Sequence, residues 1–403
     1  MDFNNTNDSL TRRVRAFTER KARLVENNLY YYNIPVAEIL PGMKVRVNGR
    51  EMGMYASYSY LGLVGHPRIN EAAKKAVDKF GTGTNGVRML AGTLSIHTEL
   101  EETIANFKHA EAATTYSSGY ATNLTVISSL MGRGDYVFSD KLNHASIVDG
   151  CLMSGAEFRR FKHNDMAHLE GLLKNAPPEA AKMVIADSVF SMDGDIIDLP
   201  GIVALCKKYN AWLMIDEAHS VGVLGKTGTG IEEHFNMFGS IDIKMGTLSK
   251  TIPSVGGYVA ANKDIITYLK HASRAYIFSA ALPPAQAAAA NEAFKVILDE
   301  PERVERLNAN TQQFIGGLKS MGFNTLLTET AIVPVLCGTD DKAFDLTRRC
   351  QEKDVFVLPV VSPAVQEGMS RLRATVTAAH EPADIEYAMD VIYQAGKELG
   401  MVK

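Results

Sequence analysis

Three residues set behind short apolar runs are the chain's best candidates for chemistry. Trp212-Leu-Met-Ile-Asp216 closes such a run on a carboxylate, and His219 follows three positions later. Thirty-four residues beyond Asp216, Met245-Gly-Thr-Leu-Ser-Lys250 presents a lysine among small and hydroxyl side chains, including Thr247 and Ser249. Ser117-Ser118-Gly119-Tyr120 opens a predicted helix, whose unpaired N–H groups and dipole suit a phosphate. Asn143-His144 follows the apolar run at Tyr136, and Arg373 lies in a late strand-like run.

Each residue also has a plainer reading. An aspartate at a strand end usually turns the chain or caps a helix, and a lone lysine is usually a solvated charge. Taken together and in this order, they are the parts that pyridoxal phosphate requires: a lysine to carry the cofactor, a carboxylate to keep its ring nitrogen protonated, and a helix start with hydroxyls for its phosphate. Asp216 is expected beside the ring nitrogen and His219 on the ring oxygen, with the His144 imidazole on the ring face.

The elements that must position these groups follow from the hydrophobic pattern. Short apolar runs at Tyr136–Phe138, Met183–Ala186, Trp212–Ile215 and Ile241–Ile243 alternate with helical stretches such as 70–80, 96–107 and 121–131. Short strands that are apolar on both sides, separated by helices, predict a mostly parallel α/β sheet. Such sheets bind ligands beyond the carboxyl ends of their strands, where Asp216 and Lys250 fall. A charged helix from Val304 to Met321 then leads into a smaller α+β segment, and the expected division is an N-terminal arm over 1–54, a large domain over 55–295 and a small domain over 296–403.

The bulk properties narrow the class. The chain has 403 residues, 46% hydrophobic and 22% charged, with a net charge of −4. That length can bury a large core, and the composition is that of a globular protein. Without a basic excess, nucleic-acid binding loses its main electrostatic term, so no nucleic-acid partner is expected. Cys151, Cys206, Cys337 and Cys350 are scattered and read as reduced thiols of a cytoplasmic protein. The polar start MDFNNTNDSLTRR carries no apolar signal core. The amphipathic 10–27 segment is expected as a surface or packing helix, with membrane association at most peripheral.

Several louder motifs are weaker than they look. Gly81, Gly83 and Gly86 spell G-x-G-x-x-G, but a helical segment precedes them where a dinucleotide fingerprint needs a strand; a flexible loop is expected. Asp216-Glu217-Ala218-His219 spells DEAH, yet the lysine motif downstream has Ser220 where a P-loop needs glycine. His163, His168 and His234 lack a zinc-site spacing, so no metal is expected.

The chain resembles the α-oxoamine synthases, a fold-type I family of pyridoxal-phosphate enzymes, closest to its serine palmitoyltransferase-like branch. The resemblance runs from about Tyr55 onward. It rests on SYSYLGLVGHP (57–67), the 82–93 region, SSGYATN (117–123), NHASIVDG (143–150), DSVFSMDGDI (187–196), MIDEAHSVGVLG (214–225), MGTLSK (245–250) and RLRATVTAAHE (371–381). It implies a large domain built on a mostly parallel seven-stranded sheet with a smaller C-terminal α+β domain. By matching position it implies Lys250 as the cofactor-bearing lysine, with Asp216, His219 and His144 around the ring and Ser188 close by. Ser118, Gly119, Tyr120, Thr247 and Ser249 would meet the phosphate, and Ser279 would reach the phosphate of a neighbouring subunit in a homodimer with shared active sites. Arg373 would grip the amino-acid carboxylate, a bidentate task suited to guanidinium. Many relatives carry asparagine before the Tyr-Leu-Gly, where this chain has Tyr58-Ser59; both are assigned to substrate binding.

The implied reaction condenses an L-amino acid with an acyl thioester, on coenzyme A or an acyl carrier protein, giving an α-amino ketone, carbon dioxide and free thiol. Serine is the first expectation for the amino acid, then alanine or glycine. 8-Amino-7-oxononanoate synthase or glycine C-acetyltransferase activity is the alternative. The rivals are a fold-type I aminotransferase and a non-catalytic regulatory homologue, the latter disfavoured by the intact Asp216, His219, Lys250 and Arg373 set. Lys250→Ala should abolish both turnover and the cofactor's long-wavelength absorbance; an active variant would overturn the assignment.

Overall fold

The structure is a computed structural model describing residues 8–403. Its centre is a seven-stranded sheet with the spatial order Ala112–Tyr116, Pro253–Ala261, Ile243–Ser249, Trp212–Asp216, Lys182–Asp187, Tyr136–Asp140 and Glu157–Phe161. All adjacent pairs are parallel except those of Pro253–Ala261, which runs antiparallel to both neighbours. The expected mostly parallel, seven-stranded α/β architecture is therefore present.

Period-two alternation along the strands builds two cores from one sheet. Met183, Ile185, Met214 and Met245 pack on one face with Val126, Ile127 and Ile147 of the helices Gly119–Leu130 and Ala145–Ser154. Val184, Ala186, Leu213 and Ile215 point the other way, into a larger core that includes Leu100, Ile202 and Phe294 from three further helices. Because both faces are covered, Lys182–Asp187 is buried at every position, which is why its sequence reads as a continuous apolar run.

Two smaller sheets complete the chain. Ile332–Gly338, Ser370–Thr375 and Pro359–Val360 form an antiparallel sheet backed by the helix Pro382–Glu398. Glu38–Leu40, Lys44–Val47 and Arg50–Met54 form a meander whose last strand pairs in parallel with Val355–Phe356, joining residues far apart in sequence. Ser9–Glu26 is a largely exposed helix, tied down by an Arg20–Asp340 ion pair. Among the described residues no helix is long and apolar enough to cross a membrane.

A buried ionic network holds the backbone just after Asp216. Glu217 is fully enclosed; one carboxylate oxygen lies 2.6 Å from the Lys108 amine and the other accepts the Ile231 N–H at 3.0 Å. Lys108 also donates to the Thr229 carbonyl. Beside it, the Lys244 amine pairs with Glu232 at 2.7 Å and donates to the Lys108 carbonyl at 2.9 Å. Removing one partner from such a pair strands a buried charge, whereas removing both often costs little. Lys108→Met should therefore destabilise the protein by about 3–5 kcal/mol in denaturant unfolding, and adding Glu217→Met should recover most of the loss. Equal destabilisation of the single and double variants would contradict this account.

Candidate active site

The lysine sits directly after the Ile243–Ser249 strand, at the same sheet end as Asp216. Lys250 Nζ lies 2.8 Å from His219 Nε2, and His219 Nδ1 lies 2.6 Å from the Tyr60 hydroxyl. Burial, helped by Arg373, brings the lysine down to about 8 against the opposing pull of Asp216 and Asp187. Burial, and then the charges of Lys250 and Arg373, hold His219 well below its ordinary value, so its ring is neutral. Tyr60 is pushed up to about 12, mainly by burial, and keeps its proton. A hydroxyl both donates and accepts, so Tyr60 can serve either tautomer of His219 as Nε2 faces an ammonium or an oxygen.

Asp216 is nearly buried and held from two sides. Asn123 donates to one carboxylate oxygen at 2.7 Å and the Ala218 N–H to the other at 2.8 Å. A carboxylate has further lone pairs, so a protonated ring nitrogen still finds an acceptor. Ser188 donates from both its N–H and its hydroxyl to the Asp216 carbonyl, each at 2.8 Å. Asp187 is the register partner of Asp216 on the next strand. Burial and that neighbour push the Asp187 carboxyl well above the usual range. Asp187 accepts the His144 N–H at 2.9 Å, and His144 in turn caps the helix Ala145–Ser154, its Nδ1 2.8 Å from the Ser146 hydroxyl. Burial lowers the His144 imidazole as well.

The phosphate-binding expectation meets a suitable cradle. Ser118 caps the helix Gly119–Leu130 by accepting the Ala121 N–H, and the N–H groups of Gly119 and Tyr120 precede the first intrahelical bond. Thr247 and Ser249 share a hydroxyl contact of 2.8 Å. A Cβ on Gly119 would come within 3.0 Å of the Thr247 hydroxyl, and one on Gly257 within 2.8 Å of the Gly119 Cα. Glycine at both positions lets helix start and sheet approach this closely. The Tyr120 hydroxyl itself bonds the Asp149 carboxylate, leaving its main chain to face the cradle. Ser279 stands apart: it belongs to the segment bridged through Ala280 to Val87, and among the described residues it makes no hydrogen bond to the cluster.

Arg373 enters from the small antiparallel sheet. Its Nε donates to the Ser191 carbonyl at 2.6 Å and its Nη1 to the Thr375 hydroxyl at 3.1 Å, while the buried Nη2 has no hydrogen-bond partner among the described residues. An unpaired, buried guanidinium nitrogen is costly unless a ligand meets it. The Tyr58 ring lies 4.9 Å from this guanidinium and 5.8 Å from Lys250 Nζ, so this aromatic residue lies against both cations. Ser59 is buried, and its hydroxyl has no hydrogen-bond partner among the described residues. Tyr58, Ser59, Ser249 and Lys250 open onto one cavity of about 500 Å³.

The structure thus gathers Lys250, His219, Asp216, Ser188 and His144 at one sheet end, sets the Ser118–Tyr120 cradle beside Thr247, and brings Arg373 and Tyr58 over the lysine. Tyr60, Asn123 and Ser191 were not singled out from the sequence. Tyr60 and Asn123 lie inside the SYSYLG and SSGYATN segments, but no spacing rule marks either as a partner of His219 or Asp216. No cluster of acidic, histidine or cysteine residues able to hold a metal occurs among the described residues, and all four cysteines are buried and free.

Comparisons with known proteins identify the family and the fold. The Aminotransferase class I and II family profile matches residues 54–392. The 8-amino-7-oxononanoate synthase of Thermoanaerobacter pseudethanolicus is 42% identical over 387 residues, covering 96% of this chain and 98% of that protein. The Geobacter sulfurreducens protein of the same name is 45% identical over 364 residues, covering 90% and 93%. Among solved structures, a lysine-to-alanine variant of serine palmitoyltransferase from S. paucimobilis with a bound PLP–myriocin aldimine superposes with a TM-score of 0.95 at 35% identity, covering 98% of this chain and 100% of that one. Sphingomonas wittichii serine palmitoyltransferase gives a TM-score of 0.95 at 33% identity, with the same coverage. The chain is a member of the class I and II aminotransferase family and has the fold-type I architecture of pyridoxal-phosphate transferases. Within that class it belongs to the α-oxoamine synthases.

The segment that holds Arg373 has its own brace. His163 lies 3.1 Å from Asp140 and 2.8 Å from Asp195, with its ring edge-on to Phe190. Close by, Gly194 has a positive φ of 76°, and a Cβ there would strike the Ile332 carbonyl at 2.2 Å. Burial opposes charging His163, but the two carboxylates more than offset it and raise the imidazole to about 10. A raised histidine stabilises the fold fully below its unfolded value of 6.5, and the contribution disappears as pH climbs through about 10. His163→Gln should therefore be markedly less stable than the parent at pH 6 and nearly equal to it at high alkaline pH. A constant gap across denaturant melts at several pH values would contradict this.

Proposed function

We propose that this protein is a pyridoxal-phosphate-dependent acyltransferase joining a small L-amino acid to an acyl thioester, releasing carbon dioxide and free thiol to leave an α-amino ketone. The observation that carries the reading is a buried lysine with a depressed pKa, opening onto a cavity, whose charge is balanced by a twice-held aspartate and by an arginine that reaches it across the Tyr58 ring. Membership of the α-oxoamine synthases supports the same reaction.

The cofactor, when bound, supplies an electron sink for the pair left on the substrate's Cα. Asp216 would face its ring nitrogen, and His219, kept neutral and oriented by Tyr60, would donate to its ring oxygen. His144 would cover the ring face near Ser188. The N–H groups of Gly119 and Tyr120, with the hydroxyls of Ser118, Thr247 and Ser249, would hold the phosphate. Ser279 would complete that site from the other subunit of a homodimer, a reading supported by the exposed Phe278 beside it and by exposed Leu90 on the bridged loop. Arg373 would fix the substrate carboxylate with Nη2, and Tyr58 would seat the guanidinium. Lys250, poised near neutral pH, would take the Cα proton. New carbon–carbon bond formation at the thioester carbonyl then expels the thiol, the carboxylate leaves as carbon dioxide, and Lys250 returns a proton to Cα.

The relatives bear on the substrates in two ways. The name 8-amino-7-oxononanoate describes the amino ketone that alanine and a carboxyl-ended seven-carbon acyl group would form, whereas serine palmitoyltransferase names serine and a long plain chain. Sequence identity favours the first, and the solved neighbours favour serine. The four free buried thiols support a cytoplasmic setting.

Titrating the purified holoenzyme with serine, alanine and glycine separately should give a saturable change in its visible spectrum with one of the first two. Arg373→Lys should weaken that half-saturation about tenfold or more, since an ammonium cannot keep the Ser191 and Thr375 contacts that aim Nη2 and also meet the carboxylate, without changing cofactor content. Spectra blind to all three amino acids would overturn the proposal.

A further inference from the structure

Beside the lysine cavity lies a second cavity of about 460 Å³. Four residues, Ser57, Ser59, Val64 and Gly65, line both, so the two are separated by the thickness of one loop. The far walls are apolar: Leu40, Met43 and Val45 from the N-terminal meander, Met54 and Ala56 beyond it, and Leu358 after the strand that joins its sheet. Ile39 and Val36 also line it and stand 64% and 39% exposed, an arrangement that costs free energy unless something apolar covers them.

Its few basic groups are already matched. Lys44 pairs with Glu51 at 3.4 Å, while Arg303 pairs with Glu300 at 2.6 Å and donates to the Leu61 carbonyl at 3.2 Å. An incoming carboxylate would therefore meet two cations that already face an acidic partner, Lys44 only at the exposed rim. Where the two cavities meet, the buried Ser59 hydroxyl lacks a partner among the described residues and is available to a polar group at the head of an apolar ligand.

We propose that this second cavity holds the hydrocarbon chain of the acyl donor, with the thioester at the Ser59 wall, and that it selects an uncharged chain over one ending in a carboxylate. The inference rests on the condensing activity proposed above. It assigns the donor's class, a plain medium to long acyl thioester, which sequence identity alone would not have chosen.

Non-reactive thioethers test the slot without turnover. Calorimetric binding to the holoenzyme should tighten by about fourfold per methylene from S-ethyl- to S-dodecyl-coenzyme A until the cavity is full. S-(6-carboxyhexyl)-coenzyme A should bind more weakly than S-hexyl-coenzyme A. Ala56→Trp, which fills the interior, should weaken the dodecyl compound about thirtyfold or more while leaving the ethyl compound within about twofold. Ile39→Asp, at the exposed rim and harmless to folding, should weaken the dodecyl compound in the same direction. Unchanged dodecyl binding in both variants, or a preference for the carboxylated chain, overturns the slot. So does dissociation of the assembly by Ile39→Asp in sedimentation, which would make this face a seat for a second copy. The amino-acid titration of the parent reads the condensing activity independently, since it needs no donor: loss of that response with chain-dependent binding intact would refute the activity and not the cavity.

Discussion

A lysine amine enclosed among other charges is the constraint around which the rest of this molecule is arranged. Lys250 lies in a desolvated corner where Asp216 and Asp187 favour its charge while Arg373 opposes it. Burial wins, and the amine is held near neutral pH instead of far above it. That balance works only if His219 is uncharged, since a second cation 2.8 Å away would be prohibitive, and burial keeps it so. Burial and the adjacent Asp216 push Asp187 up, so the two carboxyls are not equivalent neighbours of the lysine.

Holding these groups in place falls to features that do no chemistry themselves. Asn123 reaches from the helix behind the cradle to grip Asp216, and the Glu217–Lys108 pair pins the chain one residue further on. Arg373 comes from a different sheet and is aimed by the Ser191 carbonyl, in a hairpin braced by His163. The loop of residues 57–65 joins these parts. It carries Tyr58 onto the arginine and Tyr60 onto the histidine, and forms the wall between the two cavities.

Much of the central sheet was legible because its strands are buried on both faces and read as apolar runs between helices. Trp212–Asp216 and Lys182–Asp187 appear nearly as the pattern outlines them. The run at Ile241–Ile243 does not stand alone; the strand begins at Ile243 and continues through the small residues to Ser249, so Lys250 follows it immediately. Two of the strands outside those runs show why the pattern misses them. Glu157–Phe161 is an edge strand with exposed arginine at two positions, and Pro253–Ala261 opens on proline and carries two glycines. Both are strands because a neighbour supplies the hydrogen bonds, whatever their own propensity.

The order of chemical groups along the chain settles which side chains can share a site: a carboxylate and a lysine at the ends of apolar strands must emerge at the same sheet edge, because parallel strands all point their carboxyl ends one way. Residue type likewise carries the phosphate cradle, since Ser118 and Gly119 start a helix wherever it is placed. Which partner each group meets belongs to the tertiary structure. Tyr60 on His219 spans 159 residues, Arg373 on Ser191 spans 182, and the meander of residues 38–54 meets Val355–Phe356 across some three hundred. Such contacts carry no local periodicity. They depend on how packed layers close over one another, and it is that closure which desolvates Lys250 and leaves an apolar cavity one loop away.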